Sequence, residues 1–157
     1  MDEQLLHGHK NYVRCVWLSR SNGHVASGSL SGSIIIHSTS SNKVKYQANN
    51  VFATVIGLCY LRNGSLVACG YDDEDDSENL KVFSPSLELV QTLVGHTTGV
   101  WCVTISPSGS HFASGDSGGK VMIWSEPGEG GKWARVQVLE DHTHNIYAVC
   151  FSPDGKQ

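Results

Sequence analysis

The chain is predicted to be an all-β array of four-stranded blades, and three observations predict it. One pattern recurs: Gly-His, apolar residues four, seven and nine positions after the His, then Ser-Pro-x-Gly. It is complete in GHTTGVWCVTISPSG from Gly95 and in DHTHNIYAVCFSPDG from Asp141, where Asp replaces the first Gly. Earlier copies are worn. His9 is followed by Val13, Val16 and Leu18 and then Asn22-Gly23; Val51 stands in the His place ahead of Val55, Leu58, Tyr60 and Asn63-Gly64. The second observation is the period, since anchors 9, 51, 96 and 142 lie 42, 45 and 46 residues apart, the spacing of a propeller blade. The third is the texture. Short apolar runs alternate and are parted by Gly-rich turns, with no helical period anywhere.

The third repeat is the clearest. Val100 to Ser106 reads as its first strand, Phe112 to Gly115 as the second, Val121 to Trp124 as the third and Val136 to Leu139 as the fourth. Turns fall at Ser108-Gly109 and Ser117-Gly118-Gly119, and a looser loop runs from Glu126 to Lys132. In the first repeat Val25 to Gly28 and Ile34 to His37 fit the second and third strands. The second repeat offers Val67 to Gly70, an acidic insertion from Asp72 to Glu78, Leu80 to Phe83, and Leu87 to Val90 as its fourth strand. Approximate repeats are therefore 1–49, 50–93, 94–139 and a truncated 140–157. One such sheet has two apolar faces and buries both only by stacking between neighbours. Leu5 and Leu6 are expected to supply an outermost strand to a blade shared by the two ends of a closed ring, which would remove sheet edges.

With 157 residues, three and a half blades fall short of the four to eight that usually close a ring. The expectation is an N-terminal portion of a propeller that needs further blades or self-association. Of the five cysteines, four follow the repeat register: Cys15 with Cys102, Cys59 with Cys150. Such placement suits small packing residues in a reducing compartment better than a disulfide framework. The N-terminus lacks a basic region and an apolar run, and no stretch is long enough to span a bilayer, so no membrane partner is expected. A net charge of −4 without a basic stripe argues against nucleic acid. The protein is expected to be intracellular, cytoplasmic rather than nuclear.

These residues resemble the WD-repeat family of β-propellers over essentially the whole chain, most closely in VGHTTGVWCVTISPSGSHFASGDSGGKVMIWS. The resemblance implies a buried hydrogen-bonded set in each ideal blade: the Gly-His imidazole, a second-strand Ser or Thr, an Asp in the next turn and a third-strand Trp. His96, Ser114 and Trp124 occupy three of those places, with Gly118 in the Asp place. The first repeat has His9, Ser27, Ser31 and His37 there, and the second has Val51, Cys69 and Phe83. The final Asp of the family's Trp-Asp dipeptide is Ser125, Ser38 or Ser84. Blades without the set must rely on packing, the second most of all.

The resemblance also implies a site. In this family many members bind peptides at the mouth of the central channel, beside the first apolar position of each innermost strand. Arg14, Ile56, Trp101 and Tyr147 hold that position, and Tyr12, Thr54, Gly99 and Asn145 lie two residues earlier. Arg, Trp and Tyr dominate interface hot spots, so Tyr12, Arg14, Ile56, Trp101, Asn145 and Tyr147 are the candidate protein-binding residues; the bland alternative is that they cover blade edges. Other signals reduce to structure. His7-x-His9 and His142-x-His144 have strand spacing for a metal pair, but His9 and His142 are repeat histidines and no further ligand lies at spacing. The acidic run lacks the Gly and Glu of a calcium loop and reads as a solvated turn or a docking point for a basic partner. There is no GxSxG, P-loop or HExxH, and no cofactor is expected. The reading is a non-catalytic interaction scaffold or adaptor. The alternatives are a structural fragment without independent role, a substrate-receptor subunit of a ubiquitin ligase, which the missing Trp-Asp-x-Arg element disfavours, or a metalloprotein.

Overall fold

A computed structural model describes residues 5–19, 23–72, 79–126 and 132–155. Twelve strands build three four-stranded antiparallel sheets and no helix occurs among the described residues. The first sheet holds β1 (Val13–Leu18), β2 (His24–Ser29), β3 (Ile34–Ser38) and β4 (Val44–Ala48) in sequence order. The second holds β5 (Thr54–Tyr60), β6 (Leu66–Tyr71), β7 (Leu80–Phe83) and β8 (Leu89–Thr92). In the third, β9 (Val100–Ile105), β10 (His111–Asp116), β11 (Val121–Ser125) and β12 (Ala134–Leu139) follow the same order. The first strands meet: β1 lies against β5, and β5 against β9. The sheets therefore radiate from a shared inner edge as blades of an incomplete propeller.

Alternation along the inner strands makes two cores. On β5, Val55, Leu58 and Tyr60 face the first sheet and pack with Ala26, Ile34 and Ile36, whereas Cys59, and Leu61 just past the strand, face the third and pack with Val100, Val103 and Phe112. Glycines in the second strands allow the close approach. Val55 lies where a side chain on Gly28 would go, and Ile146 lies likewise against Gly115. Gly32, at φ +68°, turns the chain against the Phe52 carbonyl, a position where any Cβ would strike backbone; only glycine combines that φ with that contact.

Cys69 shows how the second blade repairs its departure from the pattern. It takes the Ser place of β6, while Gly57 replaces the cysteine found at Cys15 and Cys102. A Cβ on Gly57 would lie 2.7 Å from the Cys69 sulfur, so the thiol fills the volume that the missing side chain leaves. Burial pushes this thiol's pKa well up. All five cysteines are free thiols.

Some expectations need correction. The fourth strand of the second blade begins at Leu89, because Leu87 adopts φ +65° in a turn closed by a hydrogen bond from its amide to the Ser84 carbonyl at 3.0 Å. Leu5 and Leu6 form no strand and are exposed. Residues 140–155 also form no strand; Ile146 docks on the third sheet by donating its amide to the Asp116 carbonyl at 2.9 Å. The first blade has a fourth strand, β4, that its sequence pattern left unassigned.

Candidate functional site

Each innermost strand carries a β-bulge at the same repeat position. Pairing jumps from Val13 to Cys15 in β1, from Val55 to Gly57 in β5 and from Val100 to Cys102 in β9. The residues left out of the ladder are Arg14, Ile56 and Trp101. A bulge bends the strand and re-aims the unpaired side chain, so three residues distant in sequence are displaced at one end of the blades.

At that end the third repeat forms an aromatic cluster. The Trp101 and Tyr147 rings meet edge to face, centroids 5.6 Å apart and planes at 76°. Asn145 donates its side-chain amide to the Tyr147 hydroxyl at 3.1 Å. Trp101 is half-buried and Tyr147 is 70% exposed, so the pair is ordered by its own contact yet open to solvent. These contacts join Trp101, Asn145 and Tyr147; Tyr12 and Arg14, both exposed, and Ile56, half-buried, belong to none of them. Tyr71 extends the cluster, although it was not among the expected residues. Its hydroxyl lies 3.3 Å from Thr54 Oγ1, which also donates to the Leu30 carbonyl at 3.2 Å. A Cβ on Gly99 would be 3.3 Å from the Tyr71 Cβ and 4.0 Å from Trp101 Nε1. The available signal was its repeat position, the one Asp116 holds in the third blade.

Beneath this surface lies a buried polar chain. His96 Nδ1 is 2.7 Å from Asp116 Oδ2, His96 Nε2 is 2.7 Å from Ser114 Oγ, and Trp124 Nε1 donates to Ser114 Oγ at 2.9 Å. The network assigns one neutral tautomer: Nδ1–H donates to the carboxylate, and Nε2 accepts the Ser114 hydroxyl proton. Burial lowers the His96 pKa, with Asp116 opposing that shift. Asp116 Oδ1 also accepts the amides of Gly118 at 2.9 Å and Lys120 at 2.8 Å. The Asp place therefore belongs to Asp116 rather than Gly118, and the carboxylate comes from the end of β10 instead of the turn. In the first blade Ser29 stands at that position, and Ser33 bridges between it, at 2.8 Å, and His9 Nδ1, at 2.9 Å. His9 Nε2 meets Ser27 Oγ at 2.8 Å, so both ring nitrogens are engaged. His37, in the Trp place, contacts the His7 carbonyl through Nε2 at 2.9 Å.

At the opposite ends of the inner strands, Trp17, Tyr60, Arg62, Ile105 and Ser106 line a cavity of about 440 Å³. The Tyr60 hydroxyl is buried without a hydrogen-bond partner among the described residues, and burial raises its pKa to about 12. Among the described residues, no group of three or more His, Cys, Asp or Glu side chains is arranged to hold a metal ion. No helix among them is long and apolar enough to cross a membrane. The acidic residues 73–78 lie outside the described residues.

Comparison with known proteins supplies the family. The sequence model described as "WD domain, G-beta repeat" matches residues 3–38, 87–125 and 133–157. The gap covers most of the second repeat, where Val51, Cys69 and Phe83 replace the hydrogen-bonded set. Protein transport protein SEC13 of Coccidioides immitis is 33% identical over 97 residues, 56% of this chain and 30% of the relative. A probable cytosolic iron-sulfur protein assembly protein 1 of Botryotinia fuckeliana is 36% identical over 87 residues, 54% and 18% respectively. WD repeat-containing protein 1 of Gallus gallus is 33% identical over 93 residues, 58% and 14%. The chain thus spans less than a third of these relatives. A chain in a crystal structure of the mitotic checkpoint complex superposes with a TM-score of 0.80 at 20% identity, covering 96% of this chain and 46% of that one; this likeness concerns the fold alone. Repeat, sheet topology and family match agree: the chain belongs to the WD-repeat family of β-propellers.

Proposed function

We propose that the chain is a non-catalytic interaction scaffold whose partner, a protein or peptide, binds at the N-terminal ends of β1, β5 and β9. The recurrent bulge at Arg14, Ile56 and Trp101 carries this reading. A device repeated in three blades at a position that does not pair is better suited to presenting side chains than to holding the sheet. The exposed Trp101–Tyr147 pair offers large aromatic area at low entropic cost, the composition of an interface hot spot. Relatives named for protein transport and for iron-sulfur protein assembly share the repeat across different processes, so the fold does not name the process. The free thiols favour a reducing, cytoplasmic setting, and further blades or self-association close the ring.

Trp101→Ala tests the proposal. Affinity for the partner should fall by at least about 2 kcal/mol, the hot-spot threshold, while the melting temperature stays within about a degree, as for a surface change. Pull-downs with the wild type and the variant, read by quantitative mass spectrometry alongside thermal melts, measure both quantities. An unchanged set of bound proteins would move the site elsewhere.

A further inference from the structure

We infer that a cavity between the first and second blades is an anion site, taking the carboxylate or phosphate group of a small ligand at the face opposite the aromatic cluster. The site is separate from the interface proposed above and goes beyond it. The cavity has a volume of about 370 Å³ and is lined by His24, Lys45, Tyr46, Tyr60, Gly64 and Pro85. That volume lies in the range of small-molecule sites. Both walls are complete four-stranded sheets, and the lining gathers at the end of the blades where β5 finishes and β2 and β4 begin.

Two departures from the repeat meet here. The first is Lys45. Pairing between β3 and β4 jumps from Val44 to Tyr46, and such a bulge re-aims the residue left out. The other two blades place Val90 and Val136 at this bulge. In the first blade the position carries an ammonium instead, 3.0 Å from His24 Nε2 and 5.7 Å from the centre of the Tyr46 ring. The second departure is Tyr60. Leu18, Ile105 and Phe151 hold its place in the other repeats, so only this copy brings a polar atom. Tyr60 faces the first sheet and is 7% exposed, and its hydroxyl has no partner among the described residues. A buried hydroxyl left unsatisfied is costly, and the packing of the repeat calls for neither polar group.

The chemistry of the lining selects the ligand. Burial and the neighbouring Lys45 lower the pKa of His24, so the neutral ring accepts from the ammonium at Nε2 and keeps a proton on Nδ1 to donate. Burial raises the Tyr60 pKa to about 12, so the phenol stays a donor. Lys45 retains further N–H groups and has no carboxylate partner among the described residues. Among those residues no Asp or Glu lines the cavity. Several donors and a positive charge, with no anionic acceptor beside them, suit an oxyanion. Tyr46 and Pro85 add flat apolar surface for the body of the ligand.

The experiment titrates the full chain, at fixed ionic strength, with phenyl phosphate, benzoate, benzamide and benzylamine, followed by two-dimensional nitrogen–proton NMR. At least one of the two anions should shift the amides of His24, Lys45, Tyr46, Tyr60 and Gly64 saturably, and the neutral and cationic probes should not. A response to one anion alone supports the site and names its group; a response to both supports the shared chemistry. Lys45→Val installs the residue of the sister blades and should weaken binding about tenfold or more, as should Tyr60→Phe, in the range of a hydrogen bond to a charged group. With no internal partner to lose, Tyr60→Phe should leave the melting temperature unchanged or raise it. A response to neither anion, an equal response to benzylamine, wild-type affinity in either variant, or a Tyr60→Phe melting temperature lowered by more than about two degrees overturns the anion site. None of these outcomes bears on the aromatic interface at the other end of the blades, which Trp101→Ala tests.

Discussion

Asp116 is the residue on which the third blade turns, because one carboxylate satisfies a ring nitrogen and two turn amides. Each net hydrogen bond contributes about 0.5–1.5 kcal/mol, and more when one partner is charged. The chain ends in Trp124, 2% exposed and stacked on Phe112 at 5.9 Å. Trp124→Ala should therefore cost about 3–5 kcal/mol in chemical denaturation; a loss below about 0.5 kcal/mol would remove the side chain from the core. The neutral imidazole has a pH consequence. Burial lowers the pKa of His96 from its ordinary 6.5, and His9 and His24 shift the same way, also through burial first. The unfolded chain then binds more protons below that value, so stability is full above about pH 6.5 and declines as the pH falls through and below it. Melting temperatures from pH 8 to pH 5 should drop in the wild type and drop less in His96→Gln. The family resemblance led to His96, Ser114 and Trp124 but passed over Asp116, which was sought in the turn. Strand alternation places residues 114 and 116 on one face, so the register of β10 held the signal. Tyr71 escaped for a related reason: it sits where another blade has a structural carboxylate, and only the fold shows that the place also opens on the aromatic cluster.

At the scale of the element, bulges do two jobs. On the inner strands they free Arg14, Ile56 and Trp101. On the outer strands the pairing jumps past Lys45, Val90 and Val136, each opposite the place of the third-strand aromatic. A bulge on an edge strand twists its free hydrogen-bonding groups out of register with any incoming chain, which matters here because Val90 and Val136 are 61% and 57% exposed. The exchange between Gly57 and Cys69 makes the second blade a test of local compensation. Gly57→Ala alone places a methyl against the Cys69 sulfur and should destabilise by about 1–3 kcal/mol. Adding Cys69→Ser, a slightly smaller side chain, should relieve part of that cost, so the double-mutant cycle should show favourable coupling of about 0.5 kcal/mol or more. Strict additivity would mean that the two positions do not share a volume. Eleven of the twelve strands were legible in some form, because alternation and Gly-rich turns mark them. β4, VKYQA, was not, since an exposed outer strand carries little apolar pattern. The start of β8 was misplaced because Leu87 reads as a strand residue, yet burial at 8% exposure holds it in a left-handed turn.

The whole molecule is asymmetric at its two ends. The outer face of the third blade is partly covered by the chain's own continuation: Ile146 is buried there, and Val149 and Phe151 are half-buried. Among the described residues the first blade has no such cover. Val13, Val16 and Leu18 on β1 are 53%, 64% and 61% exposed, and Val16 and Leu18 share one face by alternation. Fully covering a Val or Leu side chain contributes about 1.5–3 kcal/mol, so even partial cover of the three is a substantial drive to associate, and such patches mark interaction surfaces. The isolated chain should therefore self-associate through β1 rather than through its C-terminal segment. Sedimentation velocity across a concentration series should show oligomers in the wild type. Val16→Lys combined with Leu18→Lys should shift the population to monomer, because two charges on that face make its burial costly. Tyr147→Lys, at the other end, should leave the distribution unchanged. A wild type that stays monomeric at every concentration, with a cooperative melt, would mean that the open face of β1 is stable in water. A Tyr147→Lys variant that alone disperses the oligomers would place the contact on the aromatic cluster, and the partner proposed for that cluster would then be competing with a second copy of the chain.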